Sequence, residues 1–144
     1  MKILFVCTGN TCRSPMAEAI FNKTNLSGEH VAFSRGTNVF FSQNISPKAK
    51  NALESIGIPS FSHKSEQITE SDIIESDLIL TMTSTHKMAL KSAYPKYKQK
   101  IFTLNEKAFG KDSDISDPYG LSQDEYNICA DQILNAVEKI ICLL

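Results

Sequence analysis

A cysteine at position 7 and an arginine at position 13 bracket the segment Cys7-Thr8-Gly9-Asn10-Thr11-Cys12-Arg13-Ser14. A thiolate is the reactive form of cysteine, and a guanidinium offers a planar fork that matches two phosphate oxygens. Together they suit attack on phosphorus. Gly9 and Asn10 tolerate unusual backbone angles, so the loop can curl its N–H groups inward around an anion. Thr8, Gly9, Asn10, Thr11, Cys12, Arg13 and Ser14 are the candidate phosphate-binding residues. The inward amides, the dipole of a following helix and Arg13 are expected to depress the Cys7 pKa. The Ser14 hydroxyl can donate to the sulfur and help it depart. A cysteine followed at this distance by an arginine also arises by chance. What distinguishes this pair is the apolar run before it and the Ser14-Pro15 start of a helix after it. The bland alternative is a tight turn holding a packing cysteine.

Cleaving a phosphate ester or phosphoramidate also calls for an acid to protonate the leaving group. Asp117, in Asp117-Pro118-Tyr119-Gly120, is the best candidate, because proline fixes the backbone next to the carboxylate. An Asp-Pro pair is equally an ordinary turn start, and Asp112 and Asp114 are rivals on the same grounds. The other cysteines are Cys12, Cys129 and Cys142. No C-x-x-C pair or zinc-type Cys/His spacing occurs, so no metal is expected. Cys129 and Cys142 lie in an apolar helical stretch and read as buried packing thiols. The histidines, His30, His63 and His86, stand isolated along the chain.

The elements that must position these residues alternate. Ile3 to Val6 is a continuous apolar run suited to a strand buried on both faces. A helix follows from Ser14-Pro15, with Ser as N-cap, and fades near Ser27-Gly28. His30 to Ser34 is a second strand, closed by Gly36. Ser46-Pro47 opens a second helix that Gly57 ends. Thr69 caps a short helix through Ile74, and Asp77 to Met82 is a third strand. A helix from His86 to about Ala93 stops at Pro95, and Lys100 to Leu104 is a fourth strand. A polar loop runs from about Asn105 to Gly120, and a long helix from Ser122 closes the chain. Such alternation predicts an α/β fold, with a parallel sheet and helices on both faces. Ligands then bind beyond the C-terminal ends of the strands, where the Cys7 loop lies.

At 144 residues and 42% apolar composition the chain fits one domain, residues 1–144, with a continuous core. A net charge of −1, with no basic stripe, implies neither a nucleic-acid nor a membrane partner. Met1 to Val6 is too short for a signal peptide or a span, so a cytoplasmic, reducing location is the expectation.

At these residues the sequence resembles the low-molecular-weight protein phosphatase family. The likeness rests on the Cys7-to-Ser14 loop, Pro15-Met16-Ala17-Glu18, Asp117-Pro118, Ser34 with Gly36, and Asp77-Leu78-Ile79-Leu80-Thr81-Met82-Thr83 with His86-Lys87. The resemblance implies a three-layer αβα fold with a four-stranded parallel sheet. It also implies Cys7 as nucleophile, Arg13 as phosphate binder and Asp117 as proton donor. No cofactor is implied, and the expected partners are phosphorylated proteins or peptides, met by a monomer.

Within that family Thr11 resembles the protein-arginine phosphatase branch, where tyrosine-directed members usually carry an aliphatic residue. A hydroxyl at the pocket mouth disfavours an aromatic ring and accommodates a polar guanidinium. Tyr119 is followed by Gly120, so one aromatic wall common in tyrosine-directed members is missing. Thr11 and Tyr119 are therefore the specificity candidates. Tyr119 departs from the phenylalanine frequent in the arginine branch. Arg35, in Ser34-Arg35-Gly36, either favours acidic substrates or is simply exposed. Cys12 is placed to form a protective disulfide with Cys7 on oxidation. The alternatives are a tyrosine phosphatase, an arsenate reductase, which lacks its further cysteines here, and a non-catalytic phosphoresidue-binding module.

Overall fold

A computed structural model describes residues 1–144. Four strands, β1 (Lys2–Cys7), β2 (Val31–Gly36), β3 (Leu78–Thr81) and β4 (Ile101–Thr103), form one parallel sheet in the order β2-β1-β3-β4. Six α-helices surround it: α1 (Arg13–Thr24), α2 (Pro47–Ser55), α3 (Glu70–Glu75), α4 (Ser84–Ala93), α5 (Leu104–Phe109) and α6 (Gln123–Leu143). The pleat of the central strand β1 divides the core. Ile3, Phe5 and Cys7 face a large cluster with residues of α1, α2, α5 and α6. Leu4 and Val6 face a smaller one with Ile73 of α3 and Leu90 of α4. Successive side chains of a strand point to opposite faces, which is why a strand buried on both sides carries an unbroken apolar run. The result is the expected three-layer αβα arrangement. No helix is long and apolar enough to cross a membrane.

Several boundaries differ from expectation for identifiable reasons. Helix α1 starts at Arg13, and the residue in the N-cap position is Cys12, which makes no side-chain cap bond. The Ser14 hydroxyl is committed elsewhere, to the Cys7 sulfur 2.8 Å away. Helix α4 begins at Ser84, because the Thr83 hydroxyl accepts the His86 amide and caps it. The stretch from Asn105 is not all loop. Thr103 and Glu106 form a reciprocal capping box that nucleates α5, and Gly110 ends it at φ 75° in the left-handed region. A 3₁₀ turn at Pro95–Lys100 leads into β4. Cys142 is exposed, not a packing thiol, because it falls in the last turn of α6, beyond the core-facing stripe that ends at Ile140.

Candidate active site

Strand β1 ends at Cys7, and the chain must turn into α1 within five residues. Asn10 makes that turn at φ 57° and is completely buried. Its side chain replaces the missing regular bonding. Asn10 Oδ1 accepts the Glu66 amide at 3.0 Å, while Nδ2 donates to Ser14 Oγ at 2.8 Å and to Ser34 Oγ at 3.0 Å. His63 Nε2 lies 2.8 Å from the Asn10 carbonyl. Because Ser14 accepts from Asn10, its own proton is free to point at the Cys7 sulfur. Ser34 passes its proton on to Glu18 Oε1 at 2.7 Å, and burial raises the Glu18 pKa despite that bond.

The loop is also clamped from the sheet. A Cβ added to Gly36 would stand 2.6 Å from the Thr8 carbonyl oxygen and 3.0 Å from Asn10 Cβ. Only glycine permits β2 to lie this close, and that closeness lets the Thr37 and Asn38 amides donate to the Cys7 and Thr8 carbonyls, each at 3.0 Å.

A cavity of about 250 Å³ opens above this loop, lined by Cys7, Thr8, Gly9, Asn10, Thr11, Cys12, Arg13, Gln43, Asp117 and Tyr119. Cys7, Arg13 and Asp117 are thus brought together across more than a hundred residues. Arg13 is held rigidly, with Nη1 donating to the Ile115 carbonyl at 2.9 Å and Nη2 3.6 Å from Asp117 Oδ2. Its side chain is 5% exposed and that of Asp117 53%. Asp117 Oδ1 accepts the Tyr119 amide at 3.1 Å, which aims the carboxylate back over the cavity. The rival acids serve the scaffold. Asp112 is bound by Lys87 Nζ at 2.7 Å and by Ser84 and Thr103, and Asp114 accepts the Ser84 amide at 2.8 Å. A larger groove, about 670 Å³ between Asn105, Phe109, Gln132 and Asn135, is lined by neither a cysteine nor an arginine.

The net effect on Cys7 differs from expectation. Burial raises its thiol pKa and outweighs the lowering influences, in order the Ser14 hydroxyl, the Ser14 amide, Arg13 and the Asn10 amide. The Ser14 hydroxyl, two loop amides and Arg13 do favour the thiolate, as expected. The sulfur sits at the closed end of the cup, where little water remains to solvate the anion.

Thr11 is half-buried and Tyr119 is 77% exposed at the rim. Cys12 Sγ lies 3.4 Å from both Tyr126 Oη and Ser46 Oγ, and Cys7 and Cys12 are both free thiols. Arg35 is neither exposed nor available to substrate, since Asp72 at 3.2 Å and Glu66 at 3.3 Å already pair with it. Sequence reasoning missed Gln43 in the lining, His63 behind Asn10, and His86. His86 packs against the loop with Nε2 2.8 Å from Thr8 Oγ1. Gln43 and His63 carry no local motif. His86 alone was signalled, by its place three residues after a threonine that caps a helix.

Comparison with known proteins gives the class. The family model for the low molecular weight phosphotyrosine protein phosphatase matches residues 2–143, and the chain belongs to that family. A protein-arginine-phosphatase of Bacillus subtilis is 42% identical over 143 residues, covering 97% of this chain and 94% of the relative. Among solved structures, a low molecular weight protein tyrosine phosphatase from T. tengcongensis superposes with a TM-score of 0.95 at 39% identity, covering 100% of this chain and 99% of the other. A cysteine-to-serine mutant of the YwlE arginine phosphatase, with a phosphorylated active-site serine, superposes at 0.92 with 35% identity, covering 100% and 95%.

Proposed function

We propose that the chain is a cysteine-dependent protein phosphatase that hydrolyses phosphoarginine. The observation that carries the chemistry is the cup itself: a buried sulfur at its floor, Arg13 on its wall and the Asp117 carboxylate at its mouth. Cys7 gives its thiol proton to a phosphoryl oxygen of the bound dianion, and the sulfur attacks phosphorus in line, forming an S–P bond as the N–P bond breaks. Asp117, in its acid form, gives its proton to the departing guanidine nitrogen. Water then attacks the phosphocysteine, Asp117 takes its proton back from that water, and the S–P bond breaks to release inorganic phosphate. Arg13 and the loop amides stabilise the equatorial oxygens throughout. The Ser14 hydroxyl, 2.8 Å away, stabilises the departing thiolate.

Three features support phosphoarginine. Thr11 puts a hydroxyl into the lining where an aliphatic side chain would favour an aromatic ring. Tyr119-Gly120 supplies one aromatic wall and not two. The Bacillus subtilis relative is named for that activity. A tyrosine phosphatase is the second reading, favoured by the exposed Tyr119 ring at the rim. Kinetics on paired phosphoarginine and phosphotyrosine peptides decide between them. Thr11→Ile is expected to shift the ratio of kcat/KM values toward phosphotyrosine by about tenfold or more. An unchanged ratio would remove Thr11 from the specificity argument. Oxidation belongs to the same reading. Mild peroxide is expected to join Cys7 to Cys12, and mass spectrometry finding only Cys7 sulfinic acid would count against protection.

A further inference from the structure

We propose that Thr8 donates its hydroxyl proton to a phosphoryl oxygen bound in the cavity, and that His86 is the positioning residue that aims it there. The proposal deepens the phosphatase reading and rests on it. It follows from counting protons around one imidazole.

The His86 ring is buried between α4 and the Cys7 loop. Nε2 lies 2.8 Å from Thr8 Oγ1, and Nδ1 lies 2.9 Å from Thr83 Oγ1. Burial first, and then the Arg13 charge, lower its pKa to about 4, so near neutral pH the ring carries one N–H. Thr83 decides which nitrogen holds it. As the cap of α4, the Thr83 hydroxyl already accepts the His86 amide at 3.2 Å. Its own proton has one protein acceptor, His86 Nδ1. The ring hydrogen is therefore on Nε2, and Nε2–H donates to Thr8 Oγ1. The opposite tautomer would leave the Thr83 proton without a protein acceptor and consume the one on Thr8.

Thr8 then has an accepted hydrogen bond and an unspent proton with no protein acceptor. It is an exposed lining residue of the cup, adjacent to the nucleophile. In the free protein that proton faces the solvent in the cavity, and a phosphoryl oxygen that displaces this water is a charged acceptor suited to it. The donor direction is rigid because the ring belongs to the first, capped turn of α4. That turn also holds the acid segment, through the Ser84 amide on Asp114 and Lys87 on Asp112.

The test uses a chromogenic aryl phosphate and inorganic phosphate as a competitive inhibitor. Turnover by the unaltered enzyme and its loss in Cys7→Ser establish the underlying reading. Their failure would sink both claims together. Given turnover, Thr8→Val is expected to weaken phosphate inhibition about tenfold, while Thr8→Ser stays within about twofold. His86→Leu should match the Thr8→Val loss, and the double variant should be no worse than either single one. His86→Gln, which retains an N–H donor, should recover most of the affinity and covers the case in which His86→Leu does not fold. Unchanged inhibition in Thr8→Val, an equal loss in Thr8→Ser, or losses that multiply in the double variant would overturn the proposal.

Discussion

Residues 7–14 and residues 111–121 meet at one cavity and are held in opposite ways. In the first segment Cys7, Asn10, Cys12, Arg13 and Ser14 are buried, and Asn10 alone ties the loop to Ser14, Ser34, Glu66 and His63. In the second only Ile115 and Pro118 are buried. Its anchors lie mostly before Asp117: Asp112 on Lys87, Ser84 and Thr103, Asp114 on the Ser84 amide, the Ile115 amide on the Met82 carbonyl, and Arg13 on the Ile115 carbonyl. The difference matches the two tasks. Stabilising phosphoryl charge requires donors fixed before reaction, so that no reorganisation is needed. Delivering a proton to leaving groups of varied shape requires a carboxylate that can adjust, and sparsely packed segments supply that freedom.

Asp117→Asn should give the largest effect on activity. It removes the proposed proton donor while keeping the shape of a half-exposed side chain whose one charged partner is Arg13 at 3.6 Å, so kcat should fall by about 10²- to 10⁴-fold with only a small change in melting temperature. A large drop in melting temperature would break the contrast by showing the acid segment to be structural. Asn10→Ala should lose both activity and stability, because it removes the acceptor of the Glu66 amide and unties the buried Ser14 and Ser34. About 2–4 kcal/mol is the expected cost in a denaturant titration. Destabilisation under about 0.5 kcal/mol would mean that the loop is not held by its side-chain network.

The smallest effect concerns pH. His86 ties the first segment to the helix that anchors the second, and its folded pKa of about 4 lies below the ordinary 6.5. Between these values the unfolded chain binds more protons than the folded one. The contribution to stability is therefore complete above pH 6.5 and is lost as pH falls toward 4. Glu18, whose folded pKa is raised, acts in the opposite sense over part of that range. Comparing unfolding curves of the wild type and His86→Gln isolates the histidine. The variant should show a shallower loss of stability on acidification, and parallel curves would remove His86 from the account.

Much of this was legible along the chain because the governing interactions are local. The unbroken apolar run of β1, the Ser46-Pro47 start of α2 and the alternation of strands with helices each depend on residues a few positions apart. Even α5, expected as loop, carried its Thr103–Glu106 capping signal in plain view. The Cys7-to-Ser14 loop was readable for the same reason, since the proposed nucleophile, the turn residues and the guanidinium all fall within eight positions.

What sequence could not decide were encounters between distant segments. Local order favoured Asp117 through its proline but left Asp112 and Asp114 as rivals. The fold separates them by giving the first two to Lys87, Ser84 and Thr103 and leaving the third within 3.6 Å of Arg13. Arg35 looked free until Asp72 and Glu66 closed on it. The balance at Cys7 also belongs to the tertiary structure. Which groups favour the thiolate depends on their identities, but how far water is excluded from the sulfur depends on the shape of the whole cup. Covalent order dictates what a residue is able to do. Burial and long-range contacts select which of those abilities remain unspent, because a hydrogen bond or charge already satisfied by a distant neighbour is no longer available to a substrate.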